Sequence, residues 1–166
     1  MRRTLGVHLV KSAYGRWLPG DERGHWSSRW DAELGYVEPG RLHPGDPVRR
    51  RMAAEQMKHP PVLWGDEAMS AMVGALWACE AESDWSVAAM SVEPTHVHVL
   101  TTYSARDAEG TAKWLSQRMT KAVHAAGVVG PVFARGRWLQ FVFDEGHWGR
   151  LVGYINRHRG AVAVHR

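Results

Sequence analysis

Two histidines one residue apart, His96 and His98 in "EPTHVHVLTTY", are the residues whose type and spacing point most directly to chemistry. Along a strand, residues i and i+2 face the same way with α-carbons about 6 to 7 Å apart, so both imidazoles can reach one metal ion. A single strand histidine is commonly just packed and hydrogen-bonded; the paired spacing brings metal ligation into play. A second pair, Tyr154 and His158 in "GHWGRLVGYINRHRGA", is separated by four residues. On a helix that spacing stacks the two on one side, bordering the apolar stripe of Leu151 and Ile155. If this helix lies across a sheet that carries His96 and His98, three imidazoles surround one metal with a phenol beside it. Taken alone, Tyr154 would serve equally as an amphipathic residue at a core edge, and His158 as a histidine facing a helix C-terminus. His8 and His147 look like strand or surface residues rather than ligands.

The elements that must position these residues are legible as alternating strand and helix signals. "TLGVHLV" sets Leu5, Val7 and Leu9 against Thr4, Gly6 and His8, the period of a half-buried strand. Residues 14–61 are rich in glycine, proline, tryptophan and charge, with turn signals at Pro19-Gly20, Pro39-Gly40 and Pro44-Gly45. An insertion with little regular structure is expected there. "DEAMSAMVGALWACEAE" then places Met69, Met72, Val73 and Leu76 on one helical face. "DWSVAAMSV" and "THVHVLTTY" read as strands joined through Glu93-Pro94-Thr95 into an antiparallel hairpin. A long helix follows, with a core stripe of Ala112, Leu115, Met119, Ala122 and Val123, ended by Gly127. A fourth strand lies in "GRWLQFVF", and the last helix spans about 146–159, built on Trp148, Leu151, Val152 and Ile155. Strand, helix, strand, strand, helix, strand is the order of the split βαβ arrangement. The expected fold class is therefore α+β: a ferredoxin-like sandwich with an antiparallel sheet, a loop insertion after the first strand and a C-terminal tyrosine-bearing helix, in one domain over 1–166.

Composition fits a globular nucleic-acid partner. Lysine and arginine outnumber the acids 21 to 17, ten histidines add charge under mild acid, and the hydrophobic content of 45% can build a core. Such a basic balance favours a polyanion. The single cysteine, Cys79, excludes an intrachain disulfide and a cysteine-rich zinc module, and suits a reducing, cytoplasmic setting. No stretch has the length of a membrane span, and His8 and Lys11 interrupt the apolar run that a signal peptide would need.

The "HVH" strand preceded by the proline hairpin "EPT", followed by a helix reading "YINRH", resembles the single-tyrosine HUH transposases. The similar members are those of the insertion sequence 200/605 type and the REP-associated tyrosine transposases, whose corresponding stretches read like "MPDHVHLL" and "YIxxNP". "WLPGDERG" also looks like a stretch found in some of them, and the resemblance covers nearly the whole chain. It implies that His96 and His98 hold a divalent metal, Mg2+ or Mn2+, and that Tyr154 attacks a phosphate of single-stranded DNA at hairpin or palindromic repeats. A 5′-phosphotyrosine link and a free 3′ hydroxyl would result, without ATP. A phenol is a poor nucleophile at neutral pH, so the cation must act as Lewis acid and nearby charge, from Arg150, Arg157 and His158, must favour the phenolate. Relatives commonly carry an amide four residues after the tyrosine. His158 stands there instead and is expected as the third ligand, a softer donor that suits manganese. Glu93 replaces the usual methionine before the hairpin proline. The resemblance implies nucleoid association and allows a homodimer.

For DNA, Trp114, Arg118 and Lys121 on the long helix combine a stacking ring with two phosphate partners. Arg49, Arg50 and Arg51, with Trp17, Trp26 and Trp30 in the insertion, suit unstacked bases in the same way, and such stripes are also ordinary solvated faces. The alternative is a noncatalytic or domesticated ferredoxin-like nucleic-acid-binding protein, which would have the basic surface but no need for His96, His98 and Tyr154 to converge. A two-histidine phosphoesterase would need two separated His-x-Ser/Thr motifs, which are missing, and a replication initiator or relaxase would carry further domains.

Overall fold

The alternation in "GVHLVKS" forms β1 (Gly6–Ser12), with Leu9 buried on one face and His8 on the other. The structure, a computed structural model, describes residues 3–24 and 42–164. After β1 come α1 (Pro47–Glu55), α2 (Asp66–Ala81), β2 (Val87–Val92), β3 (His96–Thr102), α3 (Ala108–Ala125), β4 (Trp138–Val142), α4 (Glu145–Asn156) and β5 (Ala161–Val162). The strands form one antiparallel sheet in the order β4-β1-β3-β2-β5. The first four strands in that order, with α2 and α3 as crossovers, make the expected split βαβ sandwich.

Period two divides the sheet's side chains between two layers. Leu9, Met90, Val92, Val97 and Val99 meet α2 and α3 through Met72, Leu76, Leu115, Met119 and Val123 in the larger core. On the opposite face Ala89, Leu100 and Val142 pack against Leu151 and Ile155 of α4. An irregularity between Val87 and Ala89 breaks the register there, so that Val87 still points into the larger core. The hairpin closes as expected, the Glu93 amide donating to the His96 carbonyl at 2.8 Å.

Three differences from the sequence reading have plain causes. The insertion contains a helix, α1: the Asp46 carboxylate accepts from the Val48 and Arg49 amides and Pro47 fills the first turn. Helix α4 ends at Asn156, so His158 lies just past its C-cap, Arg157. The chain then returns to the sheet as β5, pairing Ala161 with Ser91 and Val162 with Met90, a strand too short to show in residue periodicity. Trp26 and Trp30 lie outside the described residues. Among the described residues no helix is long and apolar enough to cross a membrane.

Candidate functional site

Because Val97 and Val99 fill the core beneath β3, His96 and His98 are turned to the opposite face, with ring centroids 4.9 Å apart. His158 reaches them from beyond the end of α4, 5.7 Å from the His96 ring and 4.7 Å from the His98 ring. One ring nitrogen from each of the three lies within 4.8 Å of the others, a group able to hold a metal ion. The three histidines expected as ligands are thus brought together.

A clamp between the hairpin and the C-terminal turn fixes His158. The Gly160 amide donates to Glu93 Oε1 at 2.7 Å, Ser91 Oγ donates to the same oxygen at 3.2 Å, and the Val92 amide donates to the Gly160 carbonyl at 3.1 Å. Gly160 passes so close to β2 that a Cβ there would collide with the Val92 carbonyl oxygen. Glu93, a departure in the sequence, therefore has a positioning job.

The hydrogen bonds also sort the ring nitrogens. His158 Nδ1 lies 3.0 Å from the Tyr154 carbonyl oxygen, which can only accept, so Nδ1 carries the proton. His96 Nδ1 is 3.0 Å from Thr95 Oγ1, and His98 Nδ1 is 3.0 Å from His8 Nε2. With all three Nδ1 atoms engaged, the Nε2 atoms are left as the candidate ligand atoms. Burial, followed by the charges of neighbouring histidines, depresses His98 to about 3, far below the ordinary 6.5. Burial likewise lowers His96, with His158 and Arg23 contributing, while Glu93 opposes. The neutral imidazoles of His96 and His98 suit a divalent transition metal.

Tyr154, on the exposed side of α4, stands with its ring 5.5 Å from that of His98 and 4.8 Å from that of His158. It is 45% exposed, so its phenol is open to a large substrate. Arg157 is an exposed neighbour at the helix end.

The remaining expected DNA contacts are spread more widely. Trp114, Arg118 and Lys121 lie on α3, across the sheet from the histidines. Arg118 pairs with Glu82 at 2.6 Å, and Arg106 and Arg118 both lie over the Trp114 ring. Arg49 pairs with Asp46 at 3.8 Å and Arg51 with Glu55 at 4.0 Å. Arg50 and Arg51 line an open cleft of about 790 Å³ with Arg16, Lys58 and His59. Trp17 is stacked under Arg23 and donates from Nε1 to the Gly24 carbonyl.

His8, which the sequence marks only as a strand or surface residue, has its ring buried and end to end with that of His98, centroids 5.2 Å apart. The available signal was its place on the polar side of an alternating strand; the register that brings it diagonally beside His98 was not visible. His147, on the first turn of α4, is not part of the cluster.

No protein-family profile matches the chain, and no curated protein is similar enough in sequence to count as a relative. Several solved structures are similar in fold, two of them as follows. One is a REP-associated tyrosine transposase bound to a REP hairpin, 13% identical, with 93% of this chain and 67% of that one covered and a TM-score of 0.45. The other, from Deinococcus radiodurans R1 and named as a candidate transposase, is 15% identical, with 94% and 92% covered and a TM-score of 0.47. At these identities the likeness is one of fold.

Proposed function

We propose that the protein is a metal-dependent single-stranded DNA endonuclease and strand transferase, of the single-tyrosine HUH transposase type, with Tyr154 as nucleophile. One observation carries this reading: an exposed phenol beside three imidazoles that converge on a common point. His96, His98 and His158 would hold a divalent ion, manganese in preference to magnesium because the donors are nitrogens. When bound, that ion supplies Lewis-acid polarisation of a scissile phosphate.

Tyr154 Oη forms the new bond to phosphorus while the bond from phosphorus to the 3′ oxygen breaks. The phenol proton is passed, in net terms, to that oxygen. The 5′ phosphate stays on the tyrosine and the 3′ end leaves as a hydroxyl, so the phosphodiester energy is kept for rejoining to another strand. Helix α4 orients the phenol, and burial of the His96 and His98 rings keeps those two neutral donors. Arg157, close to the phenol in sequence, and the cleft lined by Arg50 and Arg51 would take phosphates of a hairpin-bearing strand, with Arg49 supporting the cleft. The α3 group of Trp114, Arg118 and Lys121 would meet DNA only where it passes round the sheet.

The test is a denaturant-resistant adduct. Incubation with manganese and a panel of 3′-labelled single strands carrying hairpins should give a covalent protein-DNA band, absent in Tyr154→Phe, which keeps DNA affinity. An adduct that survives Tyr154→Phe, or cleavage without adduct across the panel, would overturn the assignment.

A further inference from the structure

We propose that His8 is a positioning residue: by accepting a hydrogen bond from His98 Nδ1 it fixes the tautomer of His98 and aims the Nε2 lone pair at His96 and His158. The inference rests on the metal reading of that cluster for its purpose, though the tautomer itself is a property of the metal-free chain. The contact joins His8 Nε2 and His98 Nδ1 at 3.0 Å, between two nearly coplanar rings set end to end, with centroids 5.2 Å apart and planes tilted by only 16°. Both residues are about 95% buried, at 4% and 5% exposure, so water does not compete for those atoms. One of the two nitrogens must carry the proton.

The two arrangements have opposite consequences. If His8 donates, His98 Nδ1 is an acceptor, its proton sits on Nε2 and the ring cannot ligate through that atom. If His98 donates, Nε2 is bare and points away from His8 into the cluster. Neutral imidazole in water prefers the Nε2–H form, so an unsupported His98 would favour the wrong tautomer. His158 meets the same requirement through the Tyr154 carbonyl. His98, in the middle of β3, has its own backbone carbonyl and its neighbours committed to the sheet, and His8 supplies the acceptor.

The second proton then belongs on His8 Nδ1. That atom is buried without a hydrogen-bond partner among the described residues, and Gln140 stands directly opposite His8 in the β1–β4 pairing. Register places His8 opposite Leu100 and His98 opposite Val10, so the rings meet on the diagonal of the ladder.

Long-range 1H–15N spectra of the metal-free protein read the tautomer, with His98 assigned by its loss in His98→Gln. The wild type should show a protonated Nδ1 and a bare Nε2. His8→Phe removes the acceptor and should return His98 to the Nε2–H form and weaken manganese binding, measured by calorimetry, about tenfold or more. His8→Gln places an amide oxygen near the lost nitrogen and should restore the tautomer and bring affinity to within about threefold of wild type. A wild-type His98 protonated on Nε2, an unchanged tautomer in His8→Phe, or a glutamine variant no better than phenylalanine would each overturn the proposal. If the tautomer responds as stated but the wild type binds no manganese, the metal reading falls and the His8–His98 assignment stands.

Discussion

The two faces of the sheet are built from the same strands and do opposite things. On β3, Val97 and Val99 are wholly buried against α2 and α3, while His96 and His98, alternating with them, face the side that among the described residues is covered by one helix, α4. Two helices close the first face over a continuous apolar layer. Among the described residues one helix closes the end of the second face where Leu100, Ala89 and Val142 lie, and the imidazoles stand on the rest. The larger core and the candidate site thus lie on opposite sides of a single backbone, so that each can be damaged separately.

Replacing His96 and His98 together with alanine breaks the second face most completely. Cleavage of a hairpin-bearing single strand should fall to background on a denaturing gel. Affinity for that strand, by fluorescence anisotropy, should change by less than about threefold because phosphate contacts come from basic residues elsewhere. Retained cleavage would end the metal assignment. Leu115→Ala has the inverse signature: about 2–5 kcal/mol lost in urea unfolding, with manganese affinity of the folded protein unchanged. A fall in affinity matching the loss of stability would mean that the faces are not separable.

The smallest effect expected is an acid dependence confined to the histidine face. His8 is depressed to about 4 by burial, then by the charge of His147, and His98 to about 3, against an ordinary 6.5. Below that ordinary value the unfolded chain takes up protons that the folded chain refuses. Their contribution is therefore complete above about pH 6.5 and is lost as pH falls towards 3. The urea midpoint of the metal-free protein should decline from pH 6.5 to 4, less steeply in His98→Leu. A flat midpoint in the wild type would mean that these rings ionise freely in the fold.

Much of this was legible because it is periodic. The alternation of β1 and β3, the stripes of α2 and α3, and the hairpin at Glu93-Pro94-Thr95 come directly from side-chain spacing, and with them the shared face of His96 and His98. The offset of four between Tyr154 and His158 also placed the phenol beside the cluster, although the helix ends before His158. What was not legible depends on register and close approach. His8 meets His98 only because Val10 pairs with His98, and the Glu93–Gly160 clamp joins residues 67 apart. Helix α1 was a missed local signal: Asp46-Pro47 is an N-cap and first-turn pair within a stretch dominated by glycine and proline turns.

The clamp at Gly160 also sets an order of assembly. His96 and His98 belong to a hairpin of short-range contacts, which can form early, whereas His158 is held only when residues past α4 reach the far edge of β2. A chain in which that edge is still bare has two of the three candidate ligands in place and the third unfixed. Competence to hold the ion would then arrive with the last strand to dock, after the sheet and both of its cores are in place.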